Sequence, residues 1–175
     1  MKSSCFEALA APDAKALILG TLPGAVSLAS GEYYAQPRNV FWRIMDELVG
    51  ASLELPYAQR KQRLVDRRIA LWDVCAAAER DGSLDSAIQP DTVQPNDFVS
   101  FFQTHSAIEI ICFNGAAASD LFRRHALPTL HAPASGIRHV VLPSTSTAHA
   151  AMSFERKLAA WRAALAHLAG RKKSG

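Results

Sequence analysis

The chain is short of cysteine, of unbroken apolar sequence and of the glycine patterns that grip nucleotides, and each shortage removes a class of protein. Its three cysteines, Cys5, Cys75 and Cys112, are odd in number and widely spaced. They make neither a disulfide framework nor a CxxC metal knuckle, and a four-cysteine iron–sulfur cluster cannot be built from them. The six histidines stand singly without metal-ligand spacing, so neither a metal nor another cofactor is expected. No run approaches the roughly 18 apolar residues that span a bilayer. The first twenty residues interrupt their apolar stretches with Glu7, Asp13 and Lys15, which argues against a signal segment. A cytoplasmic protein with reduced thiols and no membrane partner is expected. G-x-G-x-x-G is absent, no G-K-[ST] follows the one glycine-bounded strand end, and Ser144 with His149 lacks the G-x-S-x-G elbow of a serine hydrolase.

What is present describes an ordinary globular chain. Of 175 residues, 49% are hydrophobic and 20% charged, which suits one compact domain over residues 1–175. A monomer is expected. The net charge of +3 permits an anionic partner without demanding one. Arg60, Lys61, Arg63, Arg67 and Arg68 crowd one segment that reads as a solvated helix face, and Arg171, Lys172 and Lys173 read as a frayed basic tail over about 171–175.

Helical and extended patterns take turns along the chain. Ala16 to Leu19, Ile69 to Val74, Ile108 to Phe113 and His139 to Leu142 are apolar without alternation, the pattern of parallel strands covered on both faces. Helical patterns occupy Val40 to Leu48, about Pro56 to Arg67, about Asp97 to Thr104, Ala116 to His125, and Ser153 to Ala169 with Gly170 as its stop. Phe41 and Trp42, and the stripe Leu158, Trp161, Leu165 and Leu168, read as core. The alternation predicts a three-layer α/β/α sandwich on a four-stranded, mainly parallel sheet. Open parallel sheets bind ligands beyond the carboxyl ends of their strands. The informative segments are therefore Gly20-Thr21-Leu22-Pro23-Gly24, Asp73 with its neighbours, Asn114-Gly115, and Pro143-Ser144-Thr145-Ser146-Thr147.

LILGTLPG, SLASGEYYAQPRNVFW, ICFNGAAA and VVLPSTSTAHA follow one another in that order. Together they resemble the uracil-DNA glycosylase superfamily, and within it the hypoxanthine (deoxyinosine) DNA glycosylase branch, from about Leu17 to Ala151. The resemblance implies a base-excision repair enzyme whose partner is DNA carrying deaminated bases. It also implies roles. The Gly20 to Gly24 loop, with Leu22, lines the pocket beside the sugar; Tyr33 or Tyr34 stacks on the extruded base; Asn114 reads it. Ser144, Thr145, Ser146, Thr147 and His149 clamp the backbone and enter the duplex; Arg38, read from its charge and not from the resemblance, can contact phosphate. Leu22 stands where many members carry the Asp or Asn that holds the attacking water, so Asn39 is the implied replacement and Thr21 the next candidate. Thr147-Ala148-His149 departs from the Pro and Asn expected in the last loop.

Independent chemistry supports part of this scheme. With no carboxylate in the first pocket motif, catalysis by a strong base is disfavoured, and stabilisation of the departing base carries the burden. One fixed amide offers an acceptor and donors, so Asn114 can accept the carbonyl-plus-N–H edge of hypoxanthine or uracil and reject adenine and cytosine. Structural roles stand beside each assignment. Asn114 can cap the helix from Ala116 and Asn39 the helix from Val40. Tyr33 and Tyr34 can pack their loop on the core, Ser144 and Ser146 can cap a turn, and Arg38 can be solvated. A catalytically weak nucleic-acid or nucleotide-binding module on the same fold is the alternative function.

Overall fold

The computed structural model describes residues 2–169; the basic tail and the Gly170 stop lie outside the described residues. Four parallel strands form the central sheet: β2 (Ala16–Gly20), β3 (Ile69–Asp73), β6 (Ile110–Asn114) and β7 (Arg138–Leu142), in the order β3-β2-β6-β7. Every residue of β2 and of β6 is buried, which is why both read as continuous apolar runs.

Successive side chains point to opposite faces, and the two faces carry separate cores. Ala16, Ile18, Ile110 and Cys112 pack with Phe41, Trp42 and Trp161 on one side. That side is covered by α2 (Phe41–Val49), α3 (Tyr57–Asp66) and α6 (Phe154–Ala169). Leu17, Leu19, Ile111 and Phe113 pack with Phe98, Phe102 and Phe122 on the other, beneath α4 (Phe98–Thr104) and α5 (Ala116–Leu121). The sandwich is therefore three-layered, as the alternation predicts. The helix expected to run on to His125 instead ends at Leu121 and continues as one π-helical turn, Phe122–Ala126. No helix among the described residues is long and apolar enough to cross a membrane.

Three further features differ from what the sequence predicts. A second, antiparallel sheet joins β1 (Lys2–Ser4), β4 (Cys75–Glu79) and β5 (Gln94–Pro95) in the order β1-β4-β5. These strands are short, polar or alanine-rich, so no periodicity announces them. A helix, α1 (Ala25–Ser30), fills what reads as loop and ends at Gly31 with φ 71°. Arg60 does not belong to a solvated face: it is buried, sits 4.7 Å from the Trp42 ring centre and pairs with Glu32 at 3.0 Å. A guanidinium over an aromatic face with a carboxylate partner is stable in such a place.

Register fixes where the strand ends emerge. Gly20 pairs with Asp73 and Asn114 with Leu142, so four strands deliver their next residues to one edge. α6 braces that edge, because the Trp161 indole N–H donates to the Pro143 carbonyl at 3.0 Å. Replacing Trp161 by Phe should cost about 1–3 kcal/mol, since it strands that carbonyl and trims a buried ring. Urea unfolding of Trp161→Phe checks this; an unchanged midpoint would contradict the bracing role.

Candidate active site

A cavity of about 610 Å³ opens at the carboxyl edge of the parallel sheet. Gly20 to Ser27 form one wall, Ser144 to His149 another and Ser83 to Ser86 a third, while Tyr33, Tyr34, Asn39, Asp73 and Asn114 also border it. The four strand-end segments thus converge, and the Ser83 to Ser86 loop, which follows β4, is added to them.

The floor depends on two glycines. A Cβ at Gly20 would lie 2.6 Å from Asp73 Oδ1 and 2.9 Å from Tyr34 Oη, so any side chain there would drive the two polar groups apart. Gly115 has φ 98°, and a Cβ would meet the Ser144 side chain at 3.0 Å. Both close approaches need glycine.

The two tyrosines separate in role. Tyr33 is buried; its hydroxyl donates to the Glu7 carbonyl at 3.1 Å, and its own carbonyl accepts from the Trp42 indole at 2.8 Å. It is a core anchor that only edges the cavity. Tyr34 has the left-handed φ of 55°, rare outside glycine. Its ring stacks on Phe41 with centroids 4.1 Å apart. Its buried hydroxyl has no hydrogen-bond partner of good geometry, although Asn114 lies near enough to ease its ionisation against the larger effect of burial.

Asn114 is held by Thr145 at both ends of its amide: Nδ2 donates to Thr145 Oγ1 at 2.9 Å, and Oδ1 accepts from Thr145 N–H at 2.9 Å. It makes no side-chain cap for α5. The second N–H and a lone pair remain. Asn39 Oδ1 accepts from the Phe41 N–H at 3.0 Å, so it does support the start of α2 while bordering the cavity. Thr145 is buried and its carbonyl accepts from Val40 N–H at 3.1 Å, tying the last loop to the Asn39 segment. Ser144 accepts from Ser146 N–H and Ser146 from Ala148 N–H, so both serines cap local turns. Thr147 and His149 are exposed at the mouth, whereas Arg38 is exposed and stands outside the cavity lining.

The first pocket motif is pinned from below. Arg80, buried, donates to the carbonyls of Leu22 and Pro23. The Leu22 side chain packs with Cys75, Ala78 and Ile88, which makes it a wall. Thr21 Oγ1 donates to Asp85 Oδ1 at 2.6 Å, and Asp85 lies 3.9 Å from Arg80.

The acidic side of the site carries no sequence motif. Asp73 was legible as a strand-end residue with no role, and Asp85 and Arg80 belong to no recognisable motif. Burial pushes the Asp73 carboxyl up to about 7, with Asp85 adding to the shift and Arg80 opposing it; its Oδ2 is buried without a partner. Burial also raises Asp85, against the pull of Thr21 and Arg80. Among the described residues no cluster of metal-ligating side chains is found.

The comparisons agree with this geometry. The model of the uracil DNA glycosylase superfamily matches residues 7–169. A protein of Methanosarcina acetivorans named hypoxanthine DNA glycosylase is 34% identical over 163 residues, covering 93% of this chain and 97% of its own. Its namesake in Methanosarcina barkeri is 32% identical over 121 residues, 69% of this chain and 75% of its own. The solution NMR structure of a candidate uracil DNA glycosylase from Methanosarcina acetivorans superposes with a TM-score of 0.77 at 34% identity, covering 96% of this chain and 99% of that one. This α/β sandwich with its polar pocket at the strand ends is thus that of a DNA glycosylase. The chain belongs to the uracil DNA glycosylase superfamily.

Asp73 gives the site a pH signature. A carboxyl that titrates at its ordinary 3.8 unfolded and about 7 folded binds its proton more tightly in the native state, so the stability it contributes is fully present below its unfolded value and is lost as pH rises through about 7. Thermal unfolding should show the wild-type midpoint falling relative to that of Asp73→Asn between about pH 5 and about pH 8. A difference between the two midpoints that stays constant or moves the other way over this range would contradict the assignment.

Proposed function

We propose that the chain is a monofunctional DNA glycosylase that extrudes a deaminated base, hypoxanthine or uracil, and hydrolyses its bond to deoxyribose, leaving an abasic site for base-excision repair. The observation that carries this reading is the convergence of the Gly20 to Gly24 loop, Tyr34, Asn39, Asn114 and the Ser144 to His149 loop on one cavity. Base-excising enzymes must hold a flipped nucleotide in such a pocket and read its pairing edge. The names of the two Methanosarcina relatives add support from sequence.

Tyr34, backed by Phe41, stacks on the base, and Tyr33 supports the loop beneath. Asn114, its amide orientation set by Thr145, offers its remaining N–H and lone pair to the carbonyl and N–H of the deaminated edge. Adenine and cytosine present the inverse pattern and leave the amide unpaired in a buried place, which penalises them. Ser144, Ser146, Thr147 and His149 line the mouth where backbone phosphates pass, and Arg38 adds charge beyond it. Leu22 shapes the wall beside the sugar. Among the described residues no lysine borders the cavity, so none of them is placed to form a Schiff base with the opened sugar.

A duplex containing one deoxyinosine should yield alkali-labile sites on incubation with the protein, and borohydride should trap no covalent adduct. Inertness towards both inosine and uracil duplexes, or a trapped adduct, would contradict the reading.

Asn39 orients the attacking water through its Nδ2 N–H, while Oδ1 accepts from the Phe41 N–H. Asn39→Ala and Asn39→Ser should both slow single-turnover release by roughly 10²-fold or more, while binding to an abasic-site duplex changes little. Serine retains the capping oxygen, so a wild-type rate in Asn39→Ser would reduce the residue to a cap and pass its role to Thr21.

A further inference from the structure

Two of the groups assigned to the nucleophile's side share a deficiency. Asn39 is neutral and can orient a water without accepting its proton, and Leu22 is apolar. A carboxylate nonetheless reaches the same cavity from a segment that carries no glycosylase motif. Asp85 borders the cavity in the Ser83 to Ser86 wall, with its side chain 37% exposed, so water can reach it. Its Oδ1 is fixed by the Thr21 hydroxyl at 2.6 Å, and Thr21 follows Gly20 in the loop at the end of β2. The contact spans 64 residues of sequence, and it aims the carboxylate at the loop beside the sugar.

We propose that Asp85 is a catalytic residue that holds the attacking water together with Asn39 and takes its proton. This rests on the glycosylase reading above. In the step, the bond between C1′ and the base nitrogen breaks with its electron pair leaving on the base, and the water oxygen bonds to C1′. One water proton passes to the Asp85 carboxylate, the departing base takes a proton from solvent, and Asp85 later releases its own to solvent. The negative charge also favours the cationic sugar that develops as the base departs.

The surroundings suit this division of labour. Asp73 lies deeper, and the Asp85 charge adds to the burial that raises its proton affinity, so of the two carboxyls Asp73 is the one that holds its proton to higher pH. Arg80 at 3.9 Å and the Thr21 hydroxyl both favour the charged form of Asp85, and no such hydroxyl contact favours it at Asp73. Asp85 is also the more exposed of the two. It is therefore the member that ionises and meets water.

Asp85→Asn tests the assignment, because the amide oxygen can still accept from Thr21 and the shape is preserved while the ability to take a proton is lost. Single-turnover release of hypoxanthine from an inosine duplex should fall by roughly 10²-fold or more, with affinity for an abasic-site duplex held within a few-fold or improved by the lost charge. In Asp85→Ala, added formate should recover part of the rate by supplying the missing carboxylate. Wild-type cleavage with an undiminished Asp85→Asn rate overturns the inference alone, as does a loss matched by an equal loss of abasic-site affinity, which would make Asp85 a buttress for Arg80. A wild-type chain that releases neither hypoxanthine nor uracil overturns the glycosylase reading and this inference together.

Discussion

The missing side chain at Gly20 is the constraint on which the site depends. β2 is the strand that pairs with both β3 and β6, so its last residue sits in the middle of the sheet edge where neighbouring polar groups crowd. With only a hydrogen there, Asp73 Oδ1 and Tyr34 Oη each come within 3 Å of the place a Cβ would take. Everything above follows from that approach. Tyr34 accepts a left-handed backbone to reach it, Phe41 backs the ring, and the loop that starts at Thr21 turns outward to line the cavity.

Tethers from three directions then hold the pocket without a ligand. Arg80 grips the carbonyls of Leu22 and Pro23 from the small sheet. Thr145 binds the Asn114 amide at both ends and receives Val40 N–H. Trp161 anchors Pro143 at the root of the last loop. Such preorganisation matters for a reaction driven by charge stabilisation, because dipoles already in place need no reorganisation as the bond breaks. The site also holds buried polar atoms without partners, Tyr34 Oη and Asp73 Oδ2, and unsatisfied groups of this kind concentrate at functional sites.

Much of the fold was legible because burial on both faces leaves a local mark: Ala16 to Leu19 and Ile108 to Phe113 announce themselves by composition alone. The second sheet left none, since β1 is Lys-Ser-Ser and β4 is largely alanine, and their pairing links residues more than seventy positions apart. Arg60 was misread for a similar reason: only the fold brings Trp42 and Glu32 to it. At the site, residues at or just beyond a strand end could be found from sequence, which covers Thr21, Asn114 and Ser144. Choosing between Tyr33 and Tyr34 required the backbone turn at Tyr34. Asp85 could not be found, because the absence of a carboxylate from the first motif says nothing about one arriving from a distant loop. The only signal was an Arg80 and an Asp85 bracketing a glycine-containing turn, which is common on any surface.

The proposed reaction requires that this cavity receive a base taken out of the duplex and that water attack from the side of Asn39 and Asp85. A crystal structure with a duplex carrying 2′-fluoro-deoxyinosine, whose glycosidic bond resists cleavage, tests it directly. The account predicts hypoxanthine within the cavity against Tyr34, its pairing edge on Asn114, and an ordered water between C1′ and the Asn39 and Asp85 side chains. A base still stacked in the helix, or DNA bound away from the strand ends, would contradict it.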